Sequence, residues 1–275
     1  MGLVLELKRP LKSPVHLDLI STDRLSGMGA REVADLEVWE GNRKVKMRNL
    51  FNIRGEADTD LQASTLTVVG DLSATRRIGY KMTAGNLYIR GEGGMYIGES
   101  MRGGRIVIEG NAGSWLGSGM KSGMIEVRGN AGDYIGAASR GSRNGMDGGS
   151  ILVRGSGGSN VGSFMRSGTI RILGDAEMFL GVHMQGGTIH VEGNCSGRAG
   201  AYMTGGKVVV SGYLPNPLPS FSFEDVREQT RIENETIRGP FYVFSGDNNV
   251  DGDGRLFVSI GRNPQMRWCE RFLEE

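Results

Sequence analysis

From residue 79 onward, apolar and polar positions recur in one frame. Gly79-Tyr80-Lys81-Met82-Thr83-Ala84-Gly85-Asn86-Leu87-Tyr88-Ile89-Arg90-Gly91 reads G-x-x-M-x-x-G-x-[ILV]-x-[IV]-x-G. The closing glycines of this frame are Gly91, Gly110, Gly129, Gly155, Gly174, Gly193 and Gly212, so the spacing is 19 residues except for one interval of 26. The extra seven residues fall within Ala137 to Gly145. In each unit the pair before the closing glycine alternates with a period of two, as in Leu87-x-Ile89, Ile125-x-Val127 and Val208-x-Val210, which predicts a strand. A second apolar column at Ile97, Leu116, Ile135, Val161 and Leu180 predicts another short strand or flat segment per unit. The glycines mark corners, where the backbone needs positive φ or close approach to the unit beneath.

A 19-residue unit with short strands cannot bury its apolar face alone, but stacked units can. The expected architecture is all-β, a solenoid of parallel coils about 4.8 Å apart, so that seven span roughly 35 Å. The methionine column Met82, Met101, Met120, Met146, Met165, Met184 and Met203 is expected to fill the interior at one corner. Arg90, Glu109 and Arg128 form an outward charge ladder. The frame degrades toward both ends, with Leu66 to Gly70 and Phe51 to Gly55 as partial units and Leu36 to Val45 as a hairpin with a Gly-Asn turn. The expected division is an N-terminal β cap over 1–45, the repeat region over 46–212 with its seven full units in 79–212, and a C-terminal cap and tail over 213–275. In that tail Pro215, Pro217 and Pro219 stop the repeat, a short helix is expected around Glu224 to Gln229, and strands are expected at Phe241 to Phe244 and Leu256 to Ile260.

Composition sharpens this picture. There are 46 glycines but only 7 prolines among 275 residues, the signature of corners rather than of a disordered linker. Lys plus Arg (32) nearly cancels Asp plus Glu (31), which argues against nucleic acid or an anionic membrane as a partner. No 18-residue apolar run occurs and the first residues lack a secretory pattern, so a cytoplasmic location is expected. The two cysteines, Cys195 and Cys269, form no CxxC pair and offer no cluster or zinc site.

Candidate chemistry is sparse. Cys195 shares a column with Ala112, Ala131 and Ala176 and is expected to be small and buried. His183 falls in a column with Ser100, Phe164 and Tyr202, while His190 is expected to point outward beside Arg171. Asp247 to Gly254 lacks EF-hand spacing and is expected to be a polar turn. No catalytic, cofactor-binding or metal-ligating residue is assigned. Two sets of candidate contacts remain. Tyr96, Trp115 and Tyr134, with Phe179, share one position and form either an exposed aromatic stripe, which would mark a protein contact, or half-buried core. Arg102, Lys121 and Arg166 follow the methionine position, with Arg140 and Arg143 of the insertion expected near them, and suit an acidic partner or ligand or else ordinary solvation.

The seven-fold frame with its single insertion closely resembles the C subunit of the formylmethanofuran dehydrogenases of methanogenic archaea. The resemblance is strong over 79–212. Arg143 stands where the fourth unit's opening glycine is expected, a departure from the pattern. The frame also resembles the C-terminal domain of the glutamate synthase large subunit and the C subunit of the bacterial formyltransferase/hydrolase complex, so fold alone does not settle function. What the resemblance implies is a right-handed, single-stranded parallel β-helix with β-rich caps, acting as a non-catalytic scaffold in a cytoplasmic oxidoreductase complex. That complex reduces CO2 and fixes it on methanofuran as formylmethanofuran, the first step of methanogenesis. Its tungsten- or molybdenum-pterin, iron–sulfur clusters and binuclear metal site are implied to lie in companion pterin-binding, iron–sulfur and amidohydrolase-like subunits. The bacterial formyltransferase/hydrolase scaffold is the alternative. Polysaccharide-acting β-helix enzymes, which would show paired carboxylates on one outer face, and hexapeptide acyltransferases, with a six-residue register, do not fit.

Overall fold

The computed structural model describes residues 2–273. The chain is mostly β, built on a 13-stranded mixed sheet that is largely parallel. From Leu3–Leu7 through Thr65–Val69, Asn86–Arg90 and the strands of the later units to Gly254–Ser259, each strand pairs in parallel with the next. The register is in phase with the repeat. Leu87 faces Ile106, Ile106 faces Ile125, Ile125 faces Ile151, and the series continues through Ile170 and Ile189 to Val208. Because strand side chains alternate, an in-phase register keeps each inward column on one face, and these columns together with the methionines form one continuous core. All seven column methionines are fully buried, as expected.

Two devices tie one unit to the next. Closing glycines approach the unit before them so closely that a Cβ at Gly91, where φ is +136°, would lie 2.2 Å from the Gly70 carbonyl oxygen. The residue after the closing glycine then caps its successor: Asn111 Oδ1 accepts from the Asn130 backbone N–H, Asn130 Oδ1 from Ser156, Asp175 Oδ1 from Asn194, and Asn194 Oδ1 from Tyr213. The corner amides are thereby satisfied by a side-chain ladder rather than by water.

A second parallel segment exists in each unit, but not at the Ile97 column. The Ile97-type residues are buried within turns, and the pairing runs instead through the alanine column, from Ala112 through Ala131, Gly157 and Ala176 to Cys195. The insertion also falls differently from the position that the spacing predicts. Gly136, with φ +63°, keeps the opening-glycine position, since its carbonyl accepts from Met146 N–H and its Cβ direction meets Ile170 as the equivalent glycines meet theirs. Arg143 therefore replaces no glycine and lies in the inserted loop.

The ends close the sheet antiparallel. Phe51–Arg54 pairs with Leu3–Leu7 at one edge, beside three short helices, Thr22–Leu25, Ala30–Asp35 and Met47–Leu50, that the strand pattern did not predict. The Glu37–Glu40 and Arg43–Lys46 hairpin forms as expected around Gly41-Asn42. At the other edge, Gly254–Ser259 is followed in space by Glu235–Gly246 and Ser222–Ile232, an antiparallel hairpin. The helix expected around Glu224 to Gln229 is thus a strand. Its Glu, Arg and Gln residues favour a helix only weakly, and a paired neighbour overrides that preference. The hairpin folds over the outer face of the sheet, where Val209, Ile232, Phe241, Val243 and Phe257 form a second small core.

Candidate interaction surface

One corner of the stacked units carries the aromatic residues. In each unit a turn runs from a first outward residue, through a buried apolar residue and a glycine, to a small residue, then to a second outward residue just before the buried methionine. The first outward column is Tyr96, Trp115, Tyr134, Asn160, Phe179 and Arg198, and each has φ between +54° and +66°. The second column includes Ser100, Phe164, His183 and Tyr202, at φ +54° to +60°. Left-handed backbone suits glycine and is unfavourable for large side chains, so rings held there report a surrounding structure that enforces the turn. The turn itself is fixed by repeated bonds, for example Ser118 N–H to the Trp115 carbonyl and Phe164 N–H to the Val182 carbonyl of the next unit.

The rings stack along the axis in two separate ladders. Tyr96 and Trp115 lie 5.1 Å apart at 10°, and Trp115 and Tyr134 lie 4.6 Å apart at 6°. Phe164, His183 and Tyr202 form the second ladder, at 4.7 and 5.0 Å. The first column loses its rings at Asn160, and the second gains its first ring at Phe164, so the aromatic stack changes column where the insertion leaves the unit. Phe179 is separated from the first ladder by Asn160 and lies instead against Arg198, 5.4 Å from ring centroid to guanidinium carbon. Within the stripe Trp115 is only 7 % exposed and Tyr96, Tyr134 and Phe179 are half-buried, whereas the exposed ring, Tyr202 at 48 %, belongs to the second column.

The residues between the columns, mostly small, make a shallow groove floor, from Glu99, Ser118 and Ala137 to Ser163, Val182 and Ala201. The insertion covers its first half. Ser139 Oγ donates to Glu99 Oε1 at 3.2 Å and meets Ser118 Oγ at 3.0 Å, and the Arg140 guanidinium lies 5.0 Å from the Trp115 ring centroid. Glu99, only 6 % exposed, is neutralised by Arg77 at 3.0 Å. The second half is open and holds two adjoining cavities of about 300 and 420 Å³ that share Val182, one beside Trp115, Tyr134 and Phe164, the other beside Phe179, Tyr202 and the Leu218–Ser220 segment.

The basic column is exposed at Arg102, Lys121 and Arg166, and none of the three pairs with a carboxylate among the described residues. Asp147, in the same column between Lys121 and Arg166, interrupts it. Arg140 turns away to Trp115. Of the expected ladder Arg128 pairs with Glu109 at 3.6 Å, and tighter ion pairs lie beside it: Glu126 is held between Arg105 and Arg154, both at 2.9 Å, and Arg171 bridges Glu192 and Glu235. Hydrogen bonds from Arg154 and Arg105 keep the Glu126 carboxyl below its usual range.

His190 is buried rather than outward, at 1 % exposed. Its side chain leaves the sheet on the outer face, as its strand position requires, but the C-terminal hairpin roofs that part of the face. Burial and the nearby Arg171 push its pKa down to about 4, so the ring is neutral. It meets Ser211 Oγ at 3.0 Å through Nε2, but Nδ1 has no partner, so no carboxylate orients the pair as a nucleophile and base require. Cys195 and Cys269 are buried, and burial raises both thiols to about 11, which makes them inert. Asp247 caps a polar turn, accepting from Tyr202 N–H and Asn249 N–H. Among the described residues no three His, Cys, Asp or Glu side chains come together as metal ligands, and no helix is long and apolar enough to cross a membrane.

A scan against protein-family models finds no match. The chain is 54 % identical over 272 residues to the C subunit of tungsten-containing formylmethanofuran dehydrogenase 2 of Methanococcus maripaludis, covering 96 % of this chain and 98 % of that one. It is 52 % identical to the protein of the same description from Methanothermobacter thermautotrophicus, over 95 % and 97 % of the two chains. Among solved structures it is similar to a chain of the formyltransferase/hydrolase complex from Methylorubrum extorquens in complex with methylofuran, with a TM-score of 0.81 and 27 % identity over 93 % of this chain and 99 % of that one.

Proposed function

The chain belongs to the C-subunit family of formylmethanofuran dehydrogenases, tungsten- or molybdenum-containing enzymes of methanogenesis, and we propose that within such a complex it is the scaffold on which the catalytic subunits sit. The observation that carries this reading is a single in-phase stack with one continuous core and a surface of shallow grooves and exposed charge. Such a body has few ways to move internally and many faces to offer. We read the stack as a right-handed single-stranded β-helix over 46–212, with caps over 1–45 and 213–275, working in the cytoplasm.

The residues present do not fit the metals of the complex. An iron–sulfur cluster needs several converging thiolates, and the only two thiols here, Cys195 and Cys269, are buried and protonated. The pterin, the clusters and the binuclear metal site are accordingly assigned to the companion subunits, and no reaction step is assigned to this chain. Arg102, Lys121 and Arg166, unpaired and exposed, with the ring face of Tyr96, Trp115 and Tyr134, are the contacts proposed for those companions or for an acidic ligand.

Purification of the complex through a tag on this chain, followed by metal analysis, tests the reading. Tungsten or molybdenum with iron–sulfur protein is the expected result. Companions without either metal would favour the second reading, the scaffold of a formyltransferase/hydrolase complex acting on formylmethanofuran, which the 27 % identity to that complex supports. Turnover of a substrate by the isolated chain would remove both.

A further inference from the structure

The insertion shows how a polypeptide segment seats in the groove between the two outward columns. Over Glu99, Ser118 and Ala137 the inserted loop lays a serine onto the floor and an arginine against a ring, leaving those three residues almost wholly covered. Beyond it two cavities open over half-buried Val182, between the loop and the Leu218–Ser220 segment, with Ser163 and Ala201, 5 % and 7 % exposed, at their base. Three units at about 4.8 Å each make this open stretch roughly 15 Å long, room for four or five residues of extended chain at about 3.3 Å each. Its walls are the rings of Phe164, Tyr202 and Phe179.

Basic groups outnumber acidic ones around it. Arg140 and Arg143 on the loop, Arg198 on one wall and Arg166 beside the other form no ion pair among the described residues. Two carboxylates lie there as well, Glu177 accepting from Ser159 Oγ and Asp247 from Tyr202 and Asn249 N–H, against the four guanidiniums. Backbone N–H groups along the second column are consumed in bonds between units, so a seated segment would be held by side chains and not by strand addition.

We propose that this open half-groove docks an extended acidic segment of a companion subunit, with the segment's apolar or planar side chains against Phe164, Tyr202 and Val182 and its carboxylates toward Arg140, Arg143 and Arg198. The proposal rests on the scaffold reading above. It narrows that reading to one face.

The test uses the whole complex, purified through this chain with benzoylphenylalanine in place of Tyr202, and a second preparation with it in place of Trp39 on the N-terminal hairpin. Light should link position 202 to one net-acidic segment of a different subunit, identified by peptide sequencing. Arg140→Glu with Arg198→Glu should lower that yield roughly tenfold, and raised salt should lower it too, as expected for exposed charge pairing. An intact complex in which position 202 links to nothing, to a neutral or basic segment, or to a second copy of this chain overturns the groove and leaves the scaffold reading standing. Absence of any companion from the unsubstituted preparation overturns the scaffold reading, and this one with it.

Discussion

The two halves of the stack solve the same local problem with different covers. In the N-terminal units the rings lie in the first column, the insertion closes the groove beside them, and the outer sheet face is open, with Met124 45 % exposed. In the C-terminal units the stacked rings lie in the second column, the groove holds the two cavities, and the hairpin roofs the outer face over His190 and Val209. Register and core are the same throughout. What differs is which outward column has been hidden, and that is decided by two segments outside the 19-residue period.

Both halves should fail together when the period itself is attacked. Gly91→Val places side-chain atoms against the Gly70 carbonyl and should abolish cooperative folding, with expression moving to the insoluble fraction; Met146→Ala should cost about 2–5 kcal/mol in denaturant unfolding. Equal sensitivity of spectroscopic probes in the two halves is expected for both. The halves should separate when the ladders are cut. Trp115→Ala removes a buried, doubly stacked ring and should destabilise by about 3–5 kcal/mol, whereas His183→Ala, in an exposed ladder, should lose only about 0.5–1.5 kcal/mol. Similar losses at the two positions would erase the distinction.

Acid should also act on one half only. His190 has its folded pKa depressed to about 4 against 6.5 unfolded, so between those values the unfolded chain binds the extra proton and stability falls as pH falls. The loss should approach about 3 kcal/mol at the low end of that window, read as faster hydrogen exchange in Ser222–Ile232 and Glu235–Gly246 while the N-terminal units stay protected. His190→Gln should flatten the dependence, and unchanged hairpin exchange across pH 6.5 to 4 would show that the hairpin does not depend on a neutral ring. The smallest effect is expected from shortening the insertion by joining Ala138 to Gly145 without residues 139–144. Surface loops of this size contribute little to stability, so the change should stay within about 1 kcal/mol while Trp115 fluorescence shifts red on exposure.

Much of this organisation is legible from residue order. The strand pair before each closing glycine, the buried methionines, the hairpin at Gly41-Asn42 and the buried Cys195 all follow from a repeated local requirement. The capping ladder was present as well, in the Glu, Asn, Ser or Asp after every closing glycine but Gly212, a signal that is recognisable once those residues are seen to serve corner amides. Family membership followed from the same frame.

Sequence by itself determined the period, the inward columns and the absence of paired cysteine or histidine motifs, because each unit must satisfy the same alternation and the same crowded corners on its own. Only the tertiary structure decided that Gly136 and not Arg143 opens the interrupted unit, that Glu224 to Gln229 extends as a strand, that the rings sit on left-handed backbone, and that His190 is covered. Those outcomes depend on what a distant segment lays over an outward position. An outward side chain has the same local pattern whether water or a hairpin lies above it.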